Sequence, residues 1–484
     1  MAASNPVFPH ILRHHGDSQA LVFDQRTWRY DELHAWAGRA AAVAWHAWGV
    51  RPGDRVAWLG GNHPAMIALL FGLARIGATL LPLNFRLAPA EWDQLLADCT
   101  PRHLVHDATW SAAAQALAGR AGIAAHGVEA LDAEAPEAPD HAAEDAPVLL
   151  VYTSGTTGGP KAAVHTQANL LANMRLAAAA QQLGPADTVL TVLPVFHVGG
   201  LCIQTLPALH AGARVLLHAR FTPEDTLDAI ERDRPTLTLQ VPATMKALVD
   251  HPRWAATGLG GLRAVWAGSS LLPAPLVEAF HARGVPVCNV YGATETGPFS
   301  IALPPERAFD HVGSCGWPVP GVEARLGDRH GDAGELLLRG PNVVDRYWPD
   351  IPARDADGWF ATGDLAQQAA DGSYTIVGRA RDLIISGGEN IHPAEIEQAL
   401  ASHPAVAECA AFGLADARWG EMVAAAVVLH AGAAASDEEL LAHLQARLAR
   451  FKLPRRWFRL ESLPKTALGK LQRQALARAV GSPT

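Results

Sequence analysis

Between Val151 and Val164 the chain reads VYTSGTTGGPKAAV. The stretch carries the hydroxyls of Thr153, Ser154, Thr156 and Thr157, the glycines Gly155, Gly158 and Gly159, and one cation, Lys161. An apolar run, PVLLVY from Pro147 to Tyr152, leads into it and reads as a buried strand. A turn of Gly, Ser and Thr after a strand presents backbone N–H groups and hydroxyls outward, and such a concavity suits phosphate oxygens. Lys161 adds a mobile point charge. The pattern is not a Walker A loop, which needs Gly-Lys-Ser/Thr; here Pro160 precedes Lys161 and Ala162 follows it. By composition alone an ordinary surface turn reads the same way. The order of the residues is the more specific signal.

That order, YTSGTTGGPK, closely resembles the phosphate-loop motif of the adenylate-forming superfamily: acyl- and aryl-CoA synthetases, adenylation domains of peptide synthetases, and beetle luciferases. YGATETG (Tyr291 to Gly297), GWFATGD (Gly358 to Asp364), GRARDLIISGGENIHPAEIE (Gly378 to Glu397) and LPKTALGK (Leu463 to Lys470) match further signatures in the expected order. From first to last they span about two-thirds of the chain. The resemblance implies two half-reactions. A carboxylate attacks the α-phosphate of ATP to give acyl-AMP and pyrophosphate, and a thiol, usually that of coenzyme A, then displaces AMP.

The resemblance also implies roles for individual residues. Bringing two anions together requires cations and donors already in place. Thr153, Ser154, Gly155, Thr156, Thr157, Gly158 and Lys161 would hold the β- and γ-phosphates. Glu295 would bind Mg²⁺, Thr294 would touch the α-phosphate, and Tyr291 and Gly292 complete that nucleotide motif. Asp364 and Arg379 would contact the ribose, and Ala267, Gly268 and Ser269 would line the adenine slot. Lys470 would be the catalytic lysine that bridges carboxylate and α-phosphate. In such enzymes a small C-terminal domain rotates between the two steps. The hinge position is Arg381, where relatives usually have Asp or Lys. Gly387 and Gly388 would then swing in beside the pantetheine arm of coenzyme A, where a side chain would block a narrow channel.

PVFHVGG (Pro194 to Gly200) resembles the segment lining the acyl pocket, with His197 either a pocket gate acting in catalysis or a satisfied core histidine. Amino-acid-activating domains place an Asp at the His197 position to pair the substrate amine, so an amino acid is disfavoured here. Further wall positions are Leu239, Ala267, Val290, Gly292, Gly297 and Pro298; none is charged, which implies an uncharged aromatic or medium-chain tail. PKAAV, ENIHPAEIE, DARWGE and FKLPRRWFRLESLPKTALGK are similar to halobenzoate-type CoA ligases. HARFTPEDTLDAI is similar to succinylbenzoate-CoA ligases and many medium-chain fatty acyl-CoA synthetases. No carrier domain precedes the end at Thr484, which favours coenzyme A as acceptor; loading of a carrier protein is the alternative. The cations Arg450, Lys452, Arg455 and Arg456 read either as a solvated face or as a partner for coenzyme A phosphates.

The elements that must position these groups follow from hydrophobic patterning. RVAWLG reads as a strand and PAMIALLFGLARIGA as a helix. TVLTVLP, ARVLLH, PTLTLQVP and LRAVWAGS continue an alternation of strand and helix, the mark of a parallel sheet covered on both faces. AGRAAAVAWHAWGV (Ala37 to Val50) reads as an amphipathic helix, and the acidic Pro/Ala-rich Leu131 to Pro147 as a surface loop. From Val322 the pattern shifts to short strands with Gly turns, GELLLRG and GSYTIVGR. An α+β unit follows: a helix PAEIEQALASH, strands around VAECAAFG and MVAAAVVLH, and a helix SDEELLAHLQARLARF. The resemblance implies an α/β fold. Its large N-terminal domain, residues 1–380, has parallel sheets covered by helices plus a small distorted β-barrel. A small mobile α+β C-terminal domain, residues 381–484, follows.

The length of 484 residues agrees with two or three domains. With 49% hydrophobic and 18% charged residues the chain reads as globular and soluble. A net charge of −9 argues against nucleic acid as a partner. The five cysteines are far apart, so neither a zinc site nor a disulfide framework is expected, and a reducing cytoplasm is the simplest home. The first residues show no signal peptide. The longest stretch without Asp, Glu, Lys or Arg, Thr188 to Ala213, is broken by Pro194 and Pro207, so no spanning helix is expected. The expected partners are a small carboxylic acid, ATP and coenzyme A, with a homodimer left open.

Overall fold

Short apolar runs bounded by Gly and Pro become buried strands, and their connections become helices. The computed structural model describes residues 8–153, 161–268, 272–330, 332–386, 389–416, 420–448, 450–466 and 471–481. A nine-stranded sheet has a parallel centre in the order Val287–Tyr291, Ala264–Gly268, Leu237–Gln240, Thr188–Thr191, Arg214–Leu217 and Gln19–Phe23. Thr188–Thr191, Leu237–Gln240 and Ala264–Gly268 are buried at every residue, as strands covered on both faces must be.

A second sheet of eight strands runs Ile351–Pro352, Arg346–Tyr347, Lys161–Thr166, Pro147–Thr153, Thr79–Pro82, Arg55–Leu59, His103–His106 and Ala124–Gly127. Along Arg55–Leu59 the side chains alternate between two cores: Val56 and Trp58 enter one, Ala57 and Leu59 the other. The first of these cores also holds strands of the nine-stranded sheet and the helix Pro64–Arg75, which is buried at every position but Arg75. A helix apolar on all sides belongs in such an interior.

The strands Glu323–His330, Ala333–Arg339, Phe360–Gln368 and Tyr374–Arg379 form an antiparallel sheet in that order. In the C-terminal unit the long hairpin Val406–Asp416 and Gly420–Leu429 separates two further cores. Helices Pro393–Ala401 and Asp437–Gln445 cover one face through Ile396, Leu400, Leu440 and Leu444; Leu476 of helix Arg473–Gly481 covers the other. Every residue of these two cores lies at or beyond Ile384.

Two helices differ from their expected extents. The one read at Ala37 to Val50 starts earlier, at Tyr30, with Asp31 and Glu32 in its first turn. It loosens into a π-turn at Val43–Ala47, ahead of Gly49 at φ +68°. The helix expected to reach Phe451 starts with a capping box at Ser436 and Glu439 but stops at Gln445. A 3₁₀ turn, Arg450–Lys452, then leads into Pro454, whose ring cannot continue a helix. Among the described residues no helix is long and apolar enough to cross a membrane.

Candidate active site

The C-terminal ends of three adjacent parallel strands supply three of the expected pocket-wall positions, Leu239, Ala267 and Val290. Backbone register places Gln240 beside Ala267, Ala267 beside Asn289, and Gly268 beside Val290. Leu239, Ala267 and Val290 are buried there. Ligands of open α/β sheets bind in the crevice beyond such strand ends. Two glycines are required by close approach. A Cβ on Gly292 would lie 1.8 Å from the Pro298 carbonyl oxygen, and one on Gly268 would lie 2.6 Å from the Val290 carbonyl oxygen. Gly297 and Pro298 are buried in the loop that returns toward the sheet. Asn173 fixes that loop: its Oδ1 accepts from the Phe299 N–H at 3.1 Å while its Nδ2 donates to the Cys202 carbonyl at 2.7 Å.

Asp364, Tyr291 and Arg379 come together although they are distant in sequence. Asp364 and Arg379 are direct partners across the antiparallel pair Phe360–Gln368 and Tyr374–Arg379. Arg379 Nε lies 2.9 Å from Asp364 Oδ1, and the Tyr291 hydroxyl donates to Oδ2 at 2.7 Å. Asp364 is 8% exposed. Burial first, and then the facing carboxylate, hold the Tyr291 phenol well above its ordinary range, so it stays a donor. A carboxylate has about four lone-pair directions, so two remain open to further donors.

Glu295 and Lys161 form a second group. Glu295 sits in the 3₁₀ turn Thr294–Thr296, and its backbone carbonyl accepts from the Val344 N–H at 2.8 Å. The Tyr347 hydroxyl donates to Glu295 Oε1 at 2.9 Å. Burial, followed by the Glu295 charge, raises the Tyr347 phenol and keeps its proton. Lys161 Nζ lies 5.5 Å from the Tyr347 ring centroid. Thr153 and Lys161 are register partners, closing the strands that flank the phosphate-loop motif. Among the described residues there is no cluster of three or more His, Cys, Asp or Glu side chains that could hold a metal. The single oriented carboxylate of Glu295 fits Mg²⁺, which takes one or two protein carboxylates and completes its shell with water and substrate phosphates.

His197 is half-buried and caps a short helical turn, its Nδ1 accepting from the Gly199 N–H at 3.0 Å. Thr294 is also half-buried, next to Glu295. Arg381 falls in the 3₁₀ turn Ala380–Asp382. Ser154, Gly155, Thr156, Thr157, Gly158, Ser269, Gly387, Gly388 and Lys470 lie outside the described residues. The neighbours of the last three are described. Ile384–Ser386 and Glu389–Ile391 pair as antiparallel strands. Arg473 Nη2 lies 2.6 Å from Glu397 Oε2, and its Nη1 lies 3.2 Å from Asp382 Oδ2.

Sequence reasoning missed Tyr347, Asn173 and Arg473. Tyr347 sits in a two-residue strand, too short for any periodic signal. Asn173 interrupts the apolar helix Gln167–Ala180, and a buried Asn in such a pattern is the one available hint.

Residues 8–348 match the AMP-binding enzyme family, and residues 395–470 match the AMP-binding enzyme C-terminal domain. The chain is 41% identical over 502 residues to the indoleacetate–CoA ligase of Aromatoleum aromaticum, covering 98% of each chain. It is 39% identical to a feruloyl-CoA synthase of an Amycolatopsis species, covering 90% of each. Among solved structures, the o-succinylbenzoate CoA synthetase of Bacillus subtilis with its acyl-adenylate intermediate superposes with a TM-score of 0.88 at 32% identity, covering 98% of each chain. The same enzyme with ATP and a magnesium ion gives 0.89 at 31% identity, covering 98% of this chain and 99% of that one.

Proposed function

The chain belongs to the AMP-binding enzyme family and is an AMP-forming acid–CoA ligase, and from that premise we propose that its acid is an aromatic one with an uncharged tail. Support for the aromatic acid comes from the uncharged wall of Leu239, Ala267, Val290, Gly292, Gly297 and Pro298, and from relatives that act on indoleacetate and feruloyl groups.

The observation that carries the nucleotide half of the reading is Asp364, held between Tyr291 and Arg379 with acceptor capacity to spare. There it orients the ribose, while Gly268 and Ala267 admit the flat adenine ring close to the backbone. Lys161 and the loop from Thr153 to Gly158 draw charge from the β- and γ-phosphates as pyrophosphate departs. Glu295, oriented by Tyr347, would hold Mg²⁺, which when bound neutralises phosphate charge. Thr294 donates to the α-phosphate, and His197 sits at the mouth of the acyl pocket. Lys470 is assigned to hold carboxylate and α-phosphate in line for attack. The carboxylate oxygen bonds to phosphorus, and the bond to pyrophosphate breaks. The thiol of coenzyme A then bonds to the acyl carbon, and AMP leaves.

We place the division of the chain at 380/381, with Arg381 as the hinge that exchanges Lys470 for Gly387 and Gly388 at the active site. That placement is supported by the two C-terminal cores, which draw only on residues from Ile384 onward. A reducing, cytoplasmic setting is supported by five free cysteines.

Pyrophosphate release across benzoates, phenylacetates, indoleacetate, cinnamates and graded fatty acids, with and without coenzyme A, tests the reading. Turnover that depends on coenzyme A and is confined to aromatic acids is expected. Preference for fatty acids refutes the aromatic assignment, and release that coenzyme A does not accelerate indicates a carrier-protein acceptor.

A further inference from the structure

In the proposed reaction the loop after the strand Val287–Tyr291 has two duties. Thr294 and Glu295 serve the phosphates and Mg²⁺, and Gly297 and Pro298, next but one in the chain, wall the acid. The loop has little regular structure of its own: one 3₁₀ turn, Thr294–Thr296, ended by Gly297 at φ +92°. The backbone groups of such a loop must find partners elsewhere. The Glu295 carbonyl accepts from the Val344 N–H at 2.8 Å. Asn342 Nδ2 donates to the Thr296 carbonyl at 2.5 Å and lies 3.1 Å from Ser300 Oγ. Asn169 Nδ2 in turn donates to the carbonyls of Pro341 at 2.9 Å and Val343 at 3.2 Å, on either side of Asn342. The Phe299 N–H goes to Asn173, one turn after Asn169 on the same face of the helix Gln167–Ala180.

Asn173 also reaches the other acid-wall segment. Its Nδ2 donates to the Cys202 carbonyl at 2.7 Å, in the π-turn Leu201–Thr205 that follows the turn Val198–Gly200 capped by His197. That segment is closed on itself. The Leu201 N–H donates to the His197 carbonyl at 3.1 Å, and a Cβ on Gly200 would lie 2.3 Å from the Pro194 carbonyl oxygen. Fixing Cys202 therefore also places His197. Asn173 is fully buried, and its partners allow one amide orientation, since Oδ1 must face the N–H and Nδ2 the carbonyl. Gly297 packs directly against it: a Cβ there would lie 2.7 Å from Asn173 Oδ1.

Adenylation needs the carboxylate oxygen in line with the α-phosphorus, and a misplacement of about 1 Å can cost about 10²-fold in rate. We propose that Asn173 is a positioning residue for that step. Through the backbone at Cys202 and Phe299, one buried amide holds the acid-wall segment in register with the loop that carries Thr294 and Glu295. This inference rests on the acid–CoA ligase reading and assigns a residue to its first half-reaction. Once the acyl-adenylate exists, the acid is bonded to the phosphate and the protein no longer has to hold the two in register. The thioester step should then depend little on Asn173.

Asn173→Leu keeps the branched shape and removes both hydrogen bonds. The probes are the acid turned over fastest in the panel above and the chemically made adenylate of that acid. ATP–pyrophosphate exchange should fall about 10²-fold. KM for ATP should stay near that of the unaltered enzyme, and so should the rate at which supplied acyl-adenylate and coenzyme A give thioester and AMP. Asn173→Ser is smaller and too short to reach both partners. It should show the same split and serves where Asn173→Leu does not fold. Equal losses in the two half-reactions of a folded variant are what a merely structural role produces, and they overturn this inference while leaving the ligase reading standing. Near-normal adenylation in a folded variant overturns it as well. An unaltered enzyme that adenylates no acid of the panel overturns both.

Discussion

Replacing Asp364 with Asn tests the nucleotide site most directly, because the substitution keeps the shape and removes the charge. Asp364 is nearly buried, and its two oxygens already accept from Tyr291 at 2.7 Å and face Arg379 at 2.9 Å. In the proposed site, ribose hydroxyls would share what remains. An amide keeps one acceptor oxygen and turns an NH₂ group toward either Tyr291 or Arg379. Hydrogen bonds to a charged group contribute about 1.5–3 kcal/mol each, so losing one of the two to ribose, and the charge behind the other, costs about 2–3 kcal/mol. That corresponds to a KM for ATP raised roughly 30- to 150-fold. Arg379 is 39% exposed along its side chain, so water takes over its solvation and the fold should change little in stability. The assay is pyrophosphate release at saturating acid, with ATP and 3′-deoxy-ATP compared. The unaltered enzyme should discriminate against the deoxy nucleotide, and Asp364→Asn should not. A folded Asp364→Asn enzyme whose KM for ATP is within about threefold of normal, or one that still rejects 3′-deoxy-ATP, would refute ribose recognition by this carboxylate.

Three further outcomes are expected. Lys470→Ala should lower adenylation on the order of 10²–10³-fold while ATP still binds, as measured by calorimetry beside pyrophosphate release; near-normal adenylation would remove Lys470 from the reaction. Gly388→Leu should leave acyl-AMP formation largely intact and cripple thioester formation, and equal loss of both steps would sink the assignment of Gly388 to the thiol channel. His165 is fully buried, both ring nitrogens lack a hydrogen-bond partner, and burial lowers its pKa from 6.5 to about 4. The unfolded chain binds this proton first, so stability should be greatest above pH 6.5 and fall as pH drops toward 4, by about 3 kcal/mol from this residue. Denaturant titrations of His165→Phe should show a shallower acid slope, and an identical slope would contradict the assignment.

Much of this molecule is legible in its sequence because its chemistry is local. The phosphate motif follows a strand whose apolar run announces it, and Leu237–Gln240 and Ala264–Gly268 appear as short apolar runs because both their faces are covered. Asp364 and Arg379 can be named from separate motifs. Their pairing across two strands is a matter of register, which no motif records. Tyr347 was not legible, since its meeting with Glu295 depends on a two-residue strand pairing to Lys161–Thr166.

The residues flanking Lys470 link the proposed hinge to the proposed catalytic lysine. Lys465 and Leu471 form an antiparallel bridge, and the Gln472 N–H donates to the Pro464 carbonyl at 2.9 Å, so the chain is pinned on both sides of Lys470. Arg473 then ties this segment to Glu397 of the helix Pro393–Ala401 and to Asp382, the residue after Arg381. Its contact with Glu397 is two-pronged, through Nε at 3.2 Å and Nη2 at 2.6 Å, a geometry that fixes direction as well as distance. Arg473 is well shielded, and although burial disfavours its charge, Glu397 and then Asp382 outweigh that and raise its pKa. A rotation about Arg381 would therefore carry Asp382, the helix and the lysine segment as one piece. The sequence interval between hinge and lysine is long, yet one guanidinium spans it. In the proposed cycle that contact makes the described segment from Leu471 onward follow a change of backbone angle at residue 381.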